Sequence, residues 1–266
     1  MRRASTCLAL LGVAMLALPG VASATPEVKF KAEAVPIPGY PETGNIYGAG
    51  AAVQAEYVIT GKEYEGSPPP LAGINFYLPT GTKLHTAGFP TCAKSVLEPS
   101  GQGPNGCSKT SHAGPTGEAL GYVTLGGERV HEHLTIESFY APSGGIEFFA
   151  AGHSPVSLEI LSGGKYLHLG GGGGFGPELE TEIPLVASVP GAPYASTETI
   201  KVKAGSAYGP KSPNKATYYG RVPKKGQCPK GGFKVKTEVI FAEVGGLPRQ
   251  TVTKEYRAPC PRRSVK

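Results

Sequence analysis

The sequence predicts an all-β protein, an antiparallel β-sandwich stabilised by disulfides, with little or no helix after its N-terminal segment. Three observations predict it. Apolar and polar residues alternate in many short runs. Turn formers are abundant, with 39 Gly and 26 Pro, and they break the chain too often for long helices. Four cysteines follow an N-terminal stretch that reads as an export signal, and an even cysteine count in an exported chain reads as a disulfide set.

The export reading rests on residues 1–24. Arg2 and Arg3 form a basic start, residues 7–18 are mostly apolar, and Ala22-Ser23-Ala24 supplies a small-residue cleavage site. The apolar run is shorter than the roughly 20 residues a membrane helix needs, and no later stretch is as long. The expected mature chain starts at Thr25 and is secreted, extracellular or cell-wall associated. Its cysteines are Cys92, Cys107, Cys228 and Cys260. Of the three possible connectivities, Cys92–Cys107 with Cys228–Cys260 closes the shorter loops, and each bridge contributes about 3 to 4 kcal/mol in the chain-entropy account. No CxxC or CxxH spacing offers a zinc site.

Strands are expected, in order, over residues 28–34, 51–59, 74–78, 119–125, 130–140, 146–150, 156–161, 200–204, 216–222, 232–243 and 250–256. The clearest is 232–243: Phe233, Val235, Thr237, Val239 and Phe241 share one face, while Lys234, Lys236 and Glu238 share the other. About eleven short strands between turn residues form the pattern of a sandwich or barrel. Ser67-Pro68-Pro69-Pro70 reads as a rigid connector, residues 99–117 as a loop pinned by Cys92–Cys107, and residues 170–174, all Gly, as a flexible loop.

Charge divides the chain. Residues 25–199 carry 8 Lys+Arg against 17 Glu, a net of −9, whereas residues 200–266 carry 16 Lys+Arg against 3 Glu, a net of +13. The expected organisation is an acidic lobe over 25–189 and a basic lobe over 190–266, or one elaborated sandwich. Such asymmetry implies either mutual attraction of the two regions or an acidic partner. Lys224, Lys225, Lys230, Lys234, Lys236, Arg262 and Arg263 form the candidate anion-binding surface, suited to an anionic cell-wall polymer or glycan. They lack the interleaved aromatics of a nucleic-acid site.

The candidate catalytic patterns are few. Every acidic residue is Glu, so Asp-built calcium loops and Ser-His-Asp triads are excluded. Gly152-His153-Ser154-Pro155 fails as a nucleophile elbow, because Pro155 has no N–H to offer an oxyanion. Glu178, Glu180 and Glu182 share one face if the segment is extended, but no Trp is present to make a sugar platform.

Gly126-x4-His131-x-His133-x3-Glu137-x6-Gly144 resembles the first motif of the cupins. The resemblance implies a small barrel and a metal held by His131, His133 and Glu137. Its opening glycine is one position too close, and the second cupin motif has no match downstream. Strand parity also turns those three side chains away from Val130, Leu134, Ile136 and Tyr140, the face a core would claim. They therefore read as a solvated His-Glu face, with the cupin-like metal enzyme as the alternative. The segments 78–82, 88–92 and 256–261, with the Phe-rich strand at 232–243, are similar to a group of uncharacterised secreted bacterial proteins. The resulting expectation is a secreted binding or structural protein, with no catalytic apparatus and no cofactor.

Overall fold

The computed structural model describes residues 25–36, 51–84, 86, 88–168, 172–205, 219–221 and 229–259. The expected Cys228–Cys260 pair, the export segment, and Lys224, Lys225, Arg262 and Arg263 lie outside them. The described chain is all-β, as the alternating runs predict. Its strands are β1 (Glu27–Pro36), β2 (Ala51–Thr60), β3 (Leu71–Pro79), β4 (Thr82–Leu84), β5 (Gly117–Leu125), β6 (Glu128–Tyr140) and β7 (Ile146–Gly152). They continue with β8 (Leu158–Leu167), β9 (Phe175–Glu182), β10 (Ser196–Ala204), β11 (Tyr219–Arg221), β12 (Phe233–Phe241) and β13 (Gln250–Ala258). Helix is confined to α1 (Lys94–Leu97) and three single 3₁₀ turns.

In place of the two packed sheets expected, one antiparallel sheet curls nearly into a barrel. Its main path runs β13-β12-β3-β9-β8-β7-β6-β5-β10-β2, with β1 on the free side of β2 and the short pair β11-β4 attached beyond β2. Strands from the basic stretch are interleaved with the others: β12 pairs with β3, and β10 lies between β2 and β5. The long 3-to-12 pairing lets the sheet wrap instead of splitting into two layers.

Eleven strands complete the turn, from β13 round to β1. Each antiparallel pairing reverses direction, so an odd number of strands leaves β1 and β13 running the same way. No backbone ladder joins them among the described residues. The seam is closed by side chains. Phe30 of β1 packs against Tyr256 of β13 at 6.1 Å between ring centroids, against Tyr57 at 5.1 Å and edge-on to Phe76 at 5.9 Å, all favourable aromatic geometries.

A buried polar chain reinforces this packing. Thr237 of β12 donates its hydroxyl hydrogen to the Asn75 carbonyl oxygen at 2.9 Å. A threonine hydroxyl has only one hydrogen, so in the 3.2 Å contact with Tyr57 the tyrosine is the donor. This contact reaches from β2 to β12 across the inner side of the seam. Burial pushes the Tyr57 hydroxyl well above the ordinary phenol range.

Two segments were less legible as strands. β9 carries Gly176 and Pro177 although it lies between β3 and β8, where a proline is normally excluded. Pro177 is accommodated because the β3–β9 register shifts between Tyr77 and Pro79, just where a ladder donor would otherwise be required. β8 runs on through Gly163 and Gly164, which pair with β7 and β9. The predicted disulfide Cys92–Cys107 is present, with Cα atoms 5.5 Å apart. It fixes the loop over the outer wall, where Cys92, Leu97, Phe139 and Phe149 form a second apolar cluster.

Replacing Tyr57 with Phe is expected to lower unfolding stability by about 1 kcal/mol, the usual net value of one neutral hydrogen bond, with an unchanged denaturant slope. Urea unfolding followed by tyrosine fluorescence or circular dichroism measures both quantities.

Candidate functional site

The inner face of the barrel is packed on one side and hollow on the other. Near the seam, Val239 and Phe241 are fully buried, at 0% exposure. Away from it, Ala55, Ala119, Ala150 and Ala204 take inward positions where the packed side has Phe, Tyr or Val. The difference in side-chain volume leaves a cavity of about 170 Å³, lined by β2, β3 and β5 to β10. Val53, Ile74, Leu134, Phe148, Ile160 and Ile200 face it and are only half-buried. These inward apolar groups therefore keep accessible surface inside the wall. The only hydroxyl-bearing residues in the lining are Tyr57, Ser162, Thr181 and Thr197, and no charged residue lines it.

One inward position is anomalous. On β6 the residues Val130, Glu132, Leu134, Ile136, Ser138 and Tyr140 alternate with outward ones, and Glu132 is fully buried. Its Oε2 accepts a hydrogen bond from the Val156 N–H at 3.0 Å, while its Oε1 is buried and takes none. A Cβ on Gly152 would collide with this carboxylate, so the glycine is what makes room for it.

His131, His133 and Glu137 lie on the outer face, as strand parity predicts. His131 and His133 are exposed. His131 stands edge-on to Tyr122 at 4.5 Å, with Nε2 3.8 Å from Glu198. Glu137 instead faces His112, 3.7 Å away. His112 is buried against the Phe139 ring at 4.4 Å, and that burial pulls its pKa below the usual histidine range against the opposing effect of Glu137. His131 and Glu137 thus have separate partners. No group of three or more His, Cys or Glu suited to a metal occurs among the described residues.

The carboxylates of β9 also face outward. Glu180 pairs with Lys165 at 2.9 Å, Glu182 is exposed, and Glu178 is buried beside Tyr77. Burial raises the Glu178 pKa. Burial also opposes ionisation of neighbouring Glu238, but hydrogen bonds from Lys236 and Tyr77 outweigh it and hold that pKa below the carboxylate norm. Tyr77 donates to Glu238 at 2.9 Å, and Lys236 contacts Glu238 at 2.7 Å while standing 3.6 Å over the Tyr77 ring.

Of the candidate anion-binding residues, Lys230 is exposed, Lys234 pairs with Glu255 at 3.1 Å and Lys236 with Glu238. Lys201 reaches Glu56 of the acidic stretch at 3.4 Å. No helix among the described residues is long and apolar enough to cross a membrane. The chain matches no family model, no curated protein and no solved structure.

The outer wall also holds a carboxyl with a legible pH response. Glu147 of β7 is buried and its Oε2 lacks a hydrogen bond. Burial raises its pKa from 4.5, against a smaller opposing effect of Lys94. A folded-state pKa above the unfolded value favours the protonated native protein. The stability it contributes is present below pH ~4.5 and lost as pH rises through the raised pKa. Glu147→Gln, which cannot ionise, is expected to melt at a higher temperature than the parent at pH 7 and at the same temperature at pH 4. Thermal melts at the two pH values measure the difference.

Proposed function

We propose that this is an exported binding protein whose barrel takes a small apolar ligand. The observation that carries the reading is the set of inward Ile, Val, Leu and Phe side chains left half-buried around the void. Protein interiors normally fill such positions to near-crystalline density. A void of this size among apolar groups accepts molecules on the scale of benzene, for which about 150 Å³ is enough. Filling the cavity removes apolar surface from water at roughly 25 cal/mol per Å², which makes occupancy favourable without any specific polar contact. Eight strands contribute to the lining, so the ligand is gripped from most of the circumference and orientation is set by shape.

The lining suits binding better than catalysis. It offers hydroxyls but no charged group, base or metal-ligand set to activate them. Export fits the same reading: a disulfide-pinned barrel withstands an oxidising exterior and can hold an apolar molecule that water would not carry. Lys201 pairs with Glu56 of the acidic stretch, which supports mutual attraction of the two charge regions, while Lys234 and Lys236 pair with Glu255 and Glu238 inside the basic stretch itself.

Benzene serves as a probe of the void. Saturating benzene is expected to raise the melting temperature, because a ligand bound only by the folded state stabilises it by mass action. Ala150→Leu, which places three carbons into the cavity, is expected to abolish that shift. Absence of a shift in the parent protein would reject the reading.

A further inference from the structure

We infer that the ligand of the barrel carries one uncharged oxygen function, an alcohol or a carbonyl, and that the hydroxyls of Ser162 and Thr181 hold it. The inference rests on the apolar-ligand reading and adds one polar point to the molecule. Four hydroxyl-bearing residues line the cavity, Tyr57, Ser162, Thr181 and Thr197. The Tyr57 hydroxyl is already engaged by Thr237 at the seam. Ser162 of β8 and Thr181 of β9 make no side-chain hydrogen bond to another described residue. The two sit on adjacent strands. Gly164 pairs with Thr181 and Gly163 with Glu182, which sets Ser162 opposite Ile183 and diagonal to Thr181. Thr197 stands apart on β10, four pairings round the wall from β8.

Gly164 leaves the space that the Thr181 hydroxyl occupies. A Cβ at Gly164 would lie 3.2 Å from Thr181 Oγ1 and 3.0 Å from both Leu179 Cδ1 and the Ile146 carbonyl oxygen. Diagonal neighbours on paired strands are roughly 7 to 8 Å apart, and an O–H···O bond spans about 2.7 to 2.8 Å. One ligand oxygen between the two side chains therefore meets both hydroxyls. A hydroxyl donates and accepts, so the pair takes a carbonyl oxygen or an alcohol. Such an oxygen reproduces the hydrogen bonds that water makes there, whereas a hydrocarbon strips them, and a buried hydroxyl left unmet is costly. A charged end group fares worse than either. No charged residue lines the cavity, so an ion entering it loses its hydration without a counter-charge. The cavity's size limits the body to about that of a substituted benzene.

The test compares toluene, benzyl alcohol, benzaldehyde, benzoate and benzylammonium, five molecules of similar shape, by calorimetric titration of the whole mature protein. The parent is expected to bind the alcohol and the aldehyde at least as tightly as toluene, and the two ions more than tenfold more weakly. Ser162→Ala and Thr181→Val are each expected to keep toluene binding. Each lowers the affinity for alcohol and aldehyde, relative to toluene, about fivefold, the value of one neutral hydrogen bond. Thr197→Val, which removes a lining hydroxyl away from the pair, is expected to leave that ratio unchanged. Three results overturn the inference while leaving the apolar site standing. One is a ratio that stays at the parent value in either pair variant, and another is a ratio that falls as far in Thr197→Val. The third is a parent that prefers toluene or either ion to both neutral oxygen compounds. Failure of the parent to bind any of the three neutral molecules rejects the apolar site itself, and this inference with it.

Discussion

The rest of the structure depends on closing a sheet with an odd number of antiparallel strands. An even count would let the two end strands form an ordinary antiparallel ladder. Eleven leaves β1 and β13 parallel and without a ladder among the described residues, so the circuit must be completed by side chains. Phe30, Tyr57, Phe76 and Tyr256 do this with ring contacts, and Tyr57 and Thr237 add a hydrogen bond beneath them. The volume of these four rings is committed to that task. The packed side of the barrel is therefore a consequence of closure.

The hollow side follows from the same constraint. Barrel width grows with strand number, and about eight strands already enclose enough space for side chains or one small ligand. Eleven-stranded cans of a different topology fill the excess with a central helix. Here no element among the described residues crosses the interior, and the aromatic bulk is concentrated by the seam. Alanines at 55, 119, 150 and 204 then leave the far half unfilled. A large-to-small difference at a handful of inward positions converts surplus width into a cavity.

Much of the fold was legible in the sequence. Alternation identifies β12 almost residue for residue, and it correctly turns His131 and His133 to the outer wall. Loop length identifies Cys92–Cys107. Closure was not legible, because it depends on pairings as remote as β3 with β12, and nothing in a local pattern encodes which strands meet. β9 was obscured by Pro177, which is tolerated only through a register shift that the partner strand creates. The sharp charge division suggested two lobes, yet pairs such as Lys201–Glu56 join the acidic and basic stretches within one sheet.

The burial of Glu132 was hidden in a different way. Its signal is not a motif but an exception within a pattern. The inward positions of β6 read Val130, Glu132, Leu134, Ile136, Ser138 and Tyr140, and only one of them bears a carboxyl group. Attention to the cupin-like residues on the opposite face passes over it, because His131, His133 and Glu137 look chemical while Glu132 looks like an ordinary acid in a polar run. The burial of Glu132 becomes visible only when the strand is placed in a wall with an inside. Gly152 completes the argument from the other strand. An alanine there would be better for β-structure and would help fill the barrel, but it would displace the carboxylate. Two residues that each weaken a simple apolar interior are thus mutually compatible, the bare glycine making room for the carboxylate.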